Sequence, residues 1–161
     1  MSARYAELQV TSHFSFLRGA SSAEELFTRA AGLGIEALAI VDRNSLAGIV
    51  RAHEAARATG VRLIVGCRLD LADGMSVLVY PTDRPAYSRL CRLLSLGKRR
   101  AGKGRCHLDW SDLLAYGEGL IAVLVPDLAD AECGRRLRRL REGFGDRAYL
   151  GSRHRTDSNI R

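Results

Sequence analysis

The sequence has little that would place the chain in or across a membrane. None of its apolar runs approaches the roughly 20 residues that a membrane-spanning helix needs. Residues 1–7 contain no apolar segment of the kind that directs secretion. We therefore expect a cytoplasmic protein with no membrane partner.

Paired cysteines are also missing. No two of the four cysteines have the spacing of a C-x-x-C zinc or redox motif. A chain without a secretion signal seldom carries disulfides. We therefore expect four reduced thiols, at Cys67, Cys91, Cys106 and Cys133.

The composition that remains is that of an ordinary globular protein. The chain has 161 residues, of which 47% are hydrophobic and 27% are charged. A single domain of this size buries roughly 70% of the surface that its unfolded chain exposes. No internal repeat interrupts it, so we expect one domain with a real core.

Positive charge is in excess and clustered. The net charge is +7, and two short stretches, residues 98–105 and 135–141, each hold five lysines or arginines. Such clusters indicate a polyanion partner, because lysine and arginine release counterions from phosphates. A solvated basic face is the alternative for either stretch taken alone.

Segments with strand and helix periodicity alternate along the chain. The first helix has a capping-box pattern at Ser21 and Glu24, and Gly97 marks the end of a later helix. The residues between 97 and 106 are expected to form a mobile basic loop, and Asp127 is expected to start an arginine-rich helix. The predicted strands cover residues 6–11, 36–41, 61–69, 76–80, 120–125 and 147–151, and the predicted helices cover 22–33, 46–59, 85–97, 109–116 and 127–142. This alternation favours a mainly parallel sheet with helical crossovers, in a barrel rather than an open sheet.

Three of these predicted strands run into loops rich in small and polar residues. The loop segments are SHFSFLRGAS (residues 12–21), AIVDR with LAG (39–43 and 46–48) and IVGCR (64–68). In an α/β barrel the carboxyl ends of the strands build the functional site. We expect Phe14 and Phe16 in the first loop to anchor it in the core.

These segments resemble the motifs of the polymerase and histidinol phosphatase (PHP) domain. ELQVTSHFSFLRGAS (7–21) resembles the opening of that domain, ALAIVD with LAG its second motif, and LIVG (63–66) its third. RLCRLL (89–94) with RRAGKG (99–104) is similar to a helix and loop of the error-prone branch of bacterial C-family DNA polymerase III alpha subunits. The ordered set covers roughly residues 5–150.

The resemblance implies an α/β fold of the PHP type, a (β/α)7-like barrel that is incomplete at its C-terminus. Residues 1–151 would form the PHP domain. Residues 152–161 are a polar tail that departs from the family pattern, which we interpret as a sign of a fragment or a truncated or frameshifted product.

The resemblance also implies a degenerate metal site. PHP enzymes bind divalent metals through His, Asp and Glu, which activate water for phosphoester hydrolysis. Here Gln9 and Thr11 occupy the positions of the two histidines in the family's His-x-His motif. Arg43 follows Asp42 where a histidine is common, and Arg68 stands where a glutamate is usual. Because arginine stays charged and repels a metal by several kcal/mol at roughly 4 Å, we expect no metal and no catalytic residue here.

Two residues leave alternatives open. His13 either joins Asp42 in a residual metal site or holds its loop through a hydrogen bond. Asp42 is interpreted as structural, paired with Arg43, with Arg68 or with a loop amide.

The expected function is that of a scaffold in an error-prone DNA polymerase, in DNA replication and translesion synthesis. Its partner would be the polymerase domain of the parent subunit, a nucleotidyltransferase that uses Mg²⁺, whereas this chain has no paired-aspartate palm motif and alone is expected to be inactive. The alternatives are a stand-alone metal-dependent PHP phosphoesterase and a basic nucleic-acid-binding module. The candidate contacts to DNA or an acidic partner are Arg18, Lys98, Arg99, Arg100, Lys103 and Arg105.

Overall fold

The computed structural model describes residues 4–126 and 128–151. The chain folds into two sheets flanked by helices, and the predicted polar tail at 152–161 lies outside the described residues. The strands are β1 (Ala6–Val10), β2 (Ala37–Ile40), β3 (Arg62–Val65), β4 (Cys67–Asp70), β5 (Ser76–Pro81), β6 (Leu120–Leu124) and β7 (Ala148–Leu150). The helices are α1 (Ala23–Gly32), α2 (Ile49–Thr59), α3 (Arg84–Ala101), α4 (Trp110–Tyr116) and α5 (Ala131–Phe144).

The first sheet has the predicted parallel arrangement. Its order is β1-β2-β3, and α1 and α2 form the two crossovers. Both helices bury an alanine-rich face, with Phe27 and Ile40 at the centre of that core. The first sheet therefore brings the carboxyl ends of β1, β2 and β3 to one edge.

The second sheet corrects the prediction of a mainly parallel sheet. The expected strand at 61–69 breaks at Gly66, and from Cys67 onward the chain pairs with β5 rather than β2. Both β4–β5 and β5–β6 are antiparallel, and only β6–β7 is parallel. The reason lies in the connection between β4 and β5, which is a tight turn closed by the Leu71 and Met75 backbones and too short for a helical crossover.

The two sheets are joined beside Asp42. The Arg68 amide donates to the Asp42 carbonyl at 3.0 Å, and the Asn44 amide donates to the Arg68 carbonyl at 2.8 Å. β1 and β7 are the outer edge strands of the two sheets, and residues of both line one apolar hollow of about 630 Å³. The strands thus curve around a common interior.

Gly97 does not end a helix, and the basic stretch after it is therefore not a loop throughout. α3 continues to Ala101, so Lys98, Arg99 and Arg100 are helical. A Cβ atom at Gly97 would lie 2.6 Å from Cys106 Sγ and 2.7 Å from Leu108 Cγ. The glycine is needed because the chain returns across the helix at this point.

Two helix starts also differ from the prediction. The capping box of α1 is formed by Ser22 and Glu25, one residue after the predicted pair, and the Ser21 carbonyl accepts a hydrogen bond from the His13 amide instead. Asp130 caps α5, which begins at Ala131, while the predicted start at Asp127 lies outside the described residues. Within the described part of the chain, no helix is long and apolar enough to cross a membrane.

Candidate functional site

Asp42 follows β2 and is the centre of a buried hydrogen-bond network. Its side chain is 1% exposed. Its Oδ1 accepts from the Ser12 amide at 2.8 Å and from Ser15 Oγ at 2.7 Å, and its Oδ2 accepts from Ser12 Oγ at 2.7 Å. We call Asp42, Ser12 and Ser15 the Asp42 hub. Of the expected partners of Asp42, the structure shows the loop amide, with two hydroxyl groups that the sequence interpretation did not include.

The hub fixes the loop after β1 to the end of β2. Ser15 Oγ also accepts from the Arg43 amide at 2.9 Å, and Ser12 Oγ from the Phe14 amide at 3.2 Å. Each hydroxyl thus donates to the carboxylate and accepts from a backbone amide. Among the described residues, no buried side-chain nitrogen or oxygen lacks a hydrogen-bond partner, those of the hub included.

Arg43 and Arg68 lie together around Asp70. Arg43 Nη1 donates to Asp70 Oδ2 at 2.6 Å, and Arg68 Nε lies 3.3 Å from Asp70 Oδ1 and 2.7 Å from Ser76 Oγ. Ser76 Oγ donates to Asp70 Oδ1 at 2.7 Å. We call Asp70, Arg43, Arg68 and Ser76 the Asp70 cluster. Its two guanidinium groups share one carboxylate, so the cluster carries a net positive charge.

Asp70 is a site residue that the sequence interpretation missed. The available signal was its spacing from Arg68, because residues two apart on a strand point to the same face. Ser76 gave no signal, since its position depends on the antiparallel pairing of β4 with β5.

The other predicted metal-site positions are spread out. Gln9 lines the apolar hollow between β1 and β7, and Thr11 is half-buried just after β1. His13 is exposed, with Nδ1 3.2 Å from the Ser21 carbonyl oxygen and its ring stacked on Phe14 at 4.6 Å. Within residues 4–126 and 128–151, no group of three or more His, Cys, Asp or Glu residues is placed to hold a metal ion.

A basic groove of about 670 Å³ opens beside the two networks. The loop after β1 forms one wall, and the end of α3 with the chain after it forms the other. It is lined by Phe14, Ser15, Phe16, Arg43, Asn44, Ser45, Asp70, Lys98, Gly102, Lys103, Gly104, Arg105 and Cys106. Among the described residues that line it, Asp70 alone is acidic, and Arg43 and Arg68 already contact that carboxylate.

The prediction that Phe14 and Phe16 anchor the loop in the core is wrong. Phe16 is 85% exposed, and Phe14 is 36% exposed. The loop is a series of turns, in which the Ser15 amide donates to the Ser12 carbonyl and the Arg18 amide to the Ser15 carbonyl. The hub buries Ser12 and Ser15, and Phe14 and Phe16 are left on the outside of these turns. They form the rim of the basic groove.

The six predicted contact residues do not form one surface. Lys98, Lys103 and Arg105 line the basic groove. Arg99 lines a separate hollow on the other side of α3, with Arg92 and Tyr116. The remaining two are Arg100, which pairs with Asp112 at 2.6 Å, and Arg18, which is exposed in the loop after β1 and is not among the residues lining the groove.

Most of the second basic stretch is engaged in ion pairs. In α5, Arg135 and Arg136 pair with Glu132, while Arg139 pairs with Asp73 at 2.7 Å and lies over the Trp110 ring. The Arg139–Asp73 pair fastens α5 to the turn between β4 and β5, and Arg136 adds hydrogen bonds to the Asp73 and Gly74 carbonyls of that turn. They favour a structural interpretation of this stretch over a polyanion site.

Cys67 is buried next to the Asp42 hub, and its burial should lower the free energy of unfolding as the pH rises into the alkaline range. Its Sγ donates to the Asp42 carbonyl at 3.4 Å, and burial raises the pKa of the thiol to about 12. The unfolded thiol ionises near pH 8.5. The stability that comes from keeping the folded thiol protonated is therefore complete below that pH and is lost between about pH 9 and 12. We expect a loss of about 2.5 kcal/mol between pH 8 and 10.5 from this group, measured by urea unfolding. Cys67→Ala should show a correspondingly flatter pH dependence, and equal slopes for the two proteins would contradict the prediction.

Comparisons with known proteins place this fold and these motifs in a family. The PHP domain profile matches residues 7–149. The chain is 72% identical over 146 residues to error-prone DNA polymerase 3 of Agrobacterium fabrum, covering 91% of this chain and 13% of that protein. It is 71% identical over 147 residues to error-prone DNA polymerase 2 of Rhizobium meliloti, again covering 91% of this chain and 14% of the relative. An error-prone DNA polymerase of Caulobacter vibrioides is 51% identical over 150 residues, covering 92% of this chain and 14% of the relative.

Solved structures agree on the fold. An amidohydrolase from Chromobacterium violaceum, with bound sulfate and no metal, has a TM-score of 0.65 at 18% identity and covers 89% of this chain and 75% of that chain. A Bifidobacterium adolescentis protein has a TM-score of 0.63 at 14% identity, covering 83% of this chain and 73% of that one. The predicted α/β fold of the barrel type is thus confirmed. The chain belongs to the PHP domain family and corresponds to the N-terminal region of error-prone DNA polymerases, of whose length it spans about one seventh.

Proposed function

We propose that this chain is a non-catalytic PHP domain that braces the polymerase domain of an error-prone DNA polymerase. The observation that carries the proposal is the Asp42 hub, in which the one family-type ligand among the matched positions is committed to internal hydrogen bonds. Identity of 70–72% to the N-terminal regions of such polymerases supports the parent protein. In it, residues outside this chain would extend DNA with Mg²⁺ in the cytoplasm during damage tolerance and repair.

The residues at the strand ends do not fit a divalent metal. Asp42 offers no free oxygen toward the groove, and Arg43 and Arg68 stand at two of the positions matched to ligands. A guanidinium group cannot ligate a metal, and each one at roughly 4 Å would oppose a double positive charge by several kcal/mol. A stand-alone phosphoesterase would need ligands that the matched positions lack.

Metal titration tests the loss of the metal site. We expect calorimetry to show no stoichiometric binding of Zn²⁺ or Mn²⁺ to the wild-type chain at neutral pH. The comparison variant combines Arg43→His with Arg68→Glu, which puts an imidazole and a second carboxylate beside Asp70 in place of two cations, and it should bind more metal than the wild-type chain. Stoichiometric metal on the wild-type chain that disappears in Asp42→Ala would refute the proposed loss of the site.

Primer extension in the longer polymerase tests the scaffold role. Residues 7–149 can replace the corresponding region of the Agrobacterium fabrum enzyme, given the 72% identity. The chimera should extend primers, and its activity should be lost at a lower temperature when the graft carries Asp42→Ala. Extension that survives heating above the unfolding temperature of the Asp42→Ala graft would show that the polymerase domain does not depend on this one.

A further inference from the structure

We infer that the basic groove binds a short stretch of single-stranded DNA, with phosphates on its lysine and arginine wall and a base stacked on Phe16. The inference rests on the proposed function only in taking DNA to be the nearby polyanion. It adds a ligand site to a domain that the scaffold role alone would leave without one.

The charges of the groove favour a phosphate ligand. Lys98, Lys103 and Arg105 line it, and within the described residues none of the three forms an ion pair. Arg43 adds a fourth cation, already shared with Asp70 at 2.6 Å. Three cations without carboxylate partners at one opening are costly to keep together, and an anion in the groove would relieve their mutual repulsion.

The rim of the groove favours an unpaired base. Phe16 is 85% exposed, Leu17 beside it is 86% exposed, and Phe14 is held by the stacked His13 ring at 4.6 Å. Exposed aromatic rings next to basic side chains are the combination with which proteins bind single strands, since a base stacks on the ring while cations follow the backbone. A site for phosphate alone would not need the aromatic rim.

The size of the groove excludes a duplex from its interior. A volume of about 670 Å³ holds one or two nucleotides, whereas a B-form duplex, whose major groove alone is roughly 12 Å wide, could only lie over the opening. The backbone around Phe14 and Phe16 is held on both sides. Ser12 and Ser15, on either side of Phe14, bond to Asp42, and the Arg18 and Gly19 amides, beyond Phe16, donate to the Ser15 carbonyl. The rings are thus presented by a rigid loop.

Fluorescence anisotropy with a labelled 12-residue oligo(dT) tests the site on the purified chain. The groove variant combines Lys98→Gln, Lys103→Gln and Arg105→Gln. The control variant combines Arg29→Gln, Arg57→Gln and Arg92→Gln, which removes the same charge from exposed positions that do not line the groove. Both variants lower the net charge from +7 to +4.

We expect the groove variant to bind at least tenfold more weakly at 50 mM KCl, and the control variant to stay within about twofold of the wild type. Losing three phosphate contacts should also reduce the salt dependence, the slope of log K against log [KCl], by about 2. Phe16→Ala should bind about tenfold more weakly with an unchanged salt slope, because stacking is not ionic. A thermal melt confirms that each variant is folded.

Three results would overturn the inference. They are equal weakening by the groove and control variants, absence of oligo(dT) binding at 50 mM KCl, and binding of a blunt 20-base-pair duplex as tight as that of the single strand. None of them depends on polymerase activity or metal content. The experiments can therefore reject the scaffold role without rejecting the DNA site, and they can reject the DNA site without rejecting the scaffold role.

Discussion

Asp42→Ala should destabilise the folded chain by about 4 kcal/mol, the largest effect expected from a single side chain at the site. The substitution removes three hydrogen bonds to a charged carboxylate that is 1% exposed, and it leaves two hydroxyls and the Ser12 amide without their acceptor. Breaking such a buried network costs about 3 to 5 kcal/mol. Urea unfolding followed by circular dichroism measures it.

Two further variants show whether the hydrogen bonds are the cause. Asp42→Asn keeps an acceptor at the Oδ1 position, where two of the three donors converge, so we expect less than half the loss. Asp146→Ala serves as the control, since its side chain is 98% exposed and its ion pair with Arg141 is a surface contact worth at most about 1 kcal/mol. If Asp42→Ala cost no more than Asp146→Ala, the hub would not stabilise the domain.

Gly19→Ala should also strongly destabilise the folded chain. Gly19 lies near the end of the loop after β1, which begins at the hub residue Ser12. A Cβ atom at Gly19 would lie 2.2 Å from the Ser12 carbonyl oxygen and 2.8 Å from that of Thr11. Both are backbone atoms, so the clash can be relieved only by moving Ser12, which holds Asp42. We expect a loss of about 3 kcal/mol in the same unfolding assay.

Gly32→Ala is the matched control for this prediction. Gly32 is the last residue of α1, and a Cβ atom there would meet nothing within 4 Å. Alanine is a better helix former than glycine, so this variant should be unchanged or more stable by up to about 1 kcal/mol. A Gly19→Ala protein as stable as Gly32→Ala would mean that the loop is not packed as the structure has it.

The order of elements could be predicted because each has a clear period and its own end signals. α1 and β2 show this, where an apolar stripe and a fully buried strand follow one another at the expected positions. The errors arose where a residue type is required by a contact with a distant part of the chain rather than by its own helix or strand. Gly97 has the signature of a helix end, and only the return of the chain at Cys106 and Leu108 explains why a glycine lies inside α3.

The sequence identified individual residues of the candidate site, but it did not predict which side chains would contact one another. Asp42, Arg43 and Arg68 were identified from motif positions, yet their partners depend on strand register. Asp70 reaches Arg43 across 27 positions of sequence, and the pairing of β4 with β5 brings Ser76 to the same place. The basic groove depends on longer separations still, since α3 and the loop after β1 form its opposite walls.

The most direct test of the central claim is a phosphodiesterase assay on the purified chain with Mn²⁺, Zn²⁺ or Mg²⁺ and a chromogenic phosphodiester. Because Asp42 is held by Ser12 and Ser15, and because two arginines stand where the resemblance to PHP enzymes expects metal ligands, we expect hydrolysis no faster than in buffer with the same metal. Metal-dependent turnover that Asp42→Ala abolishes, in a variant shown to remain folded at the assay temperature, would contradict the account.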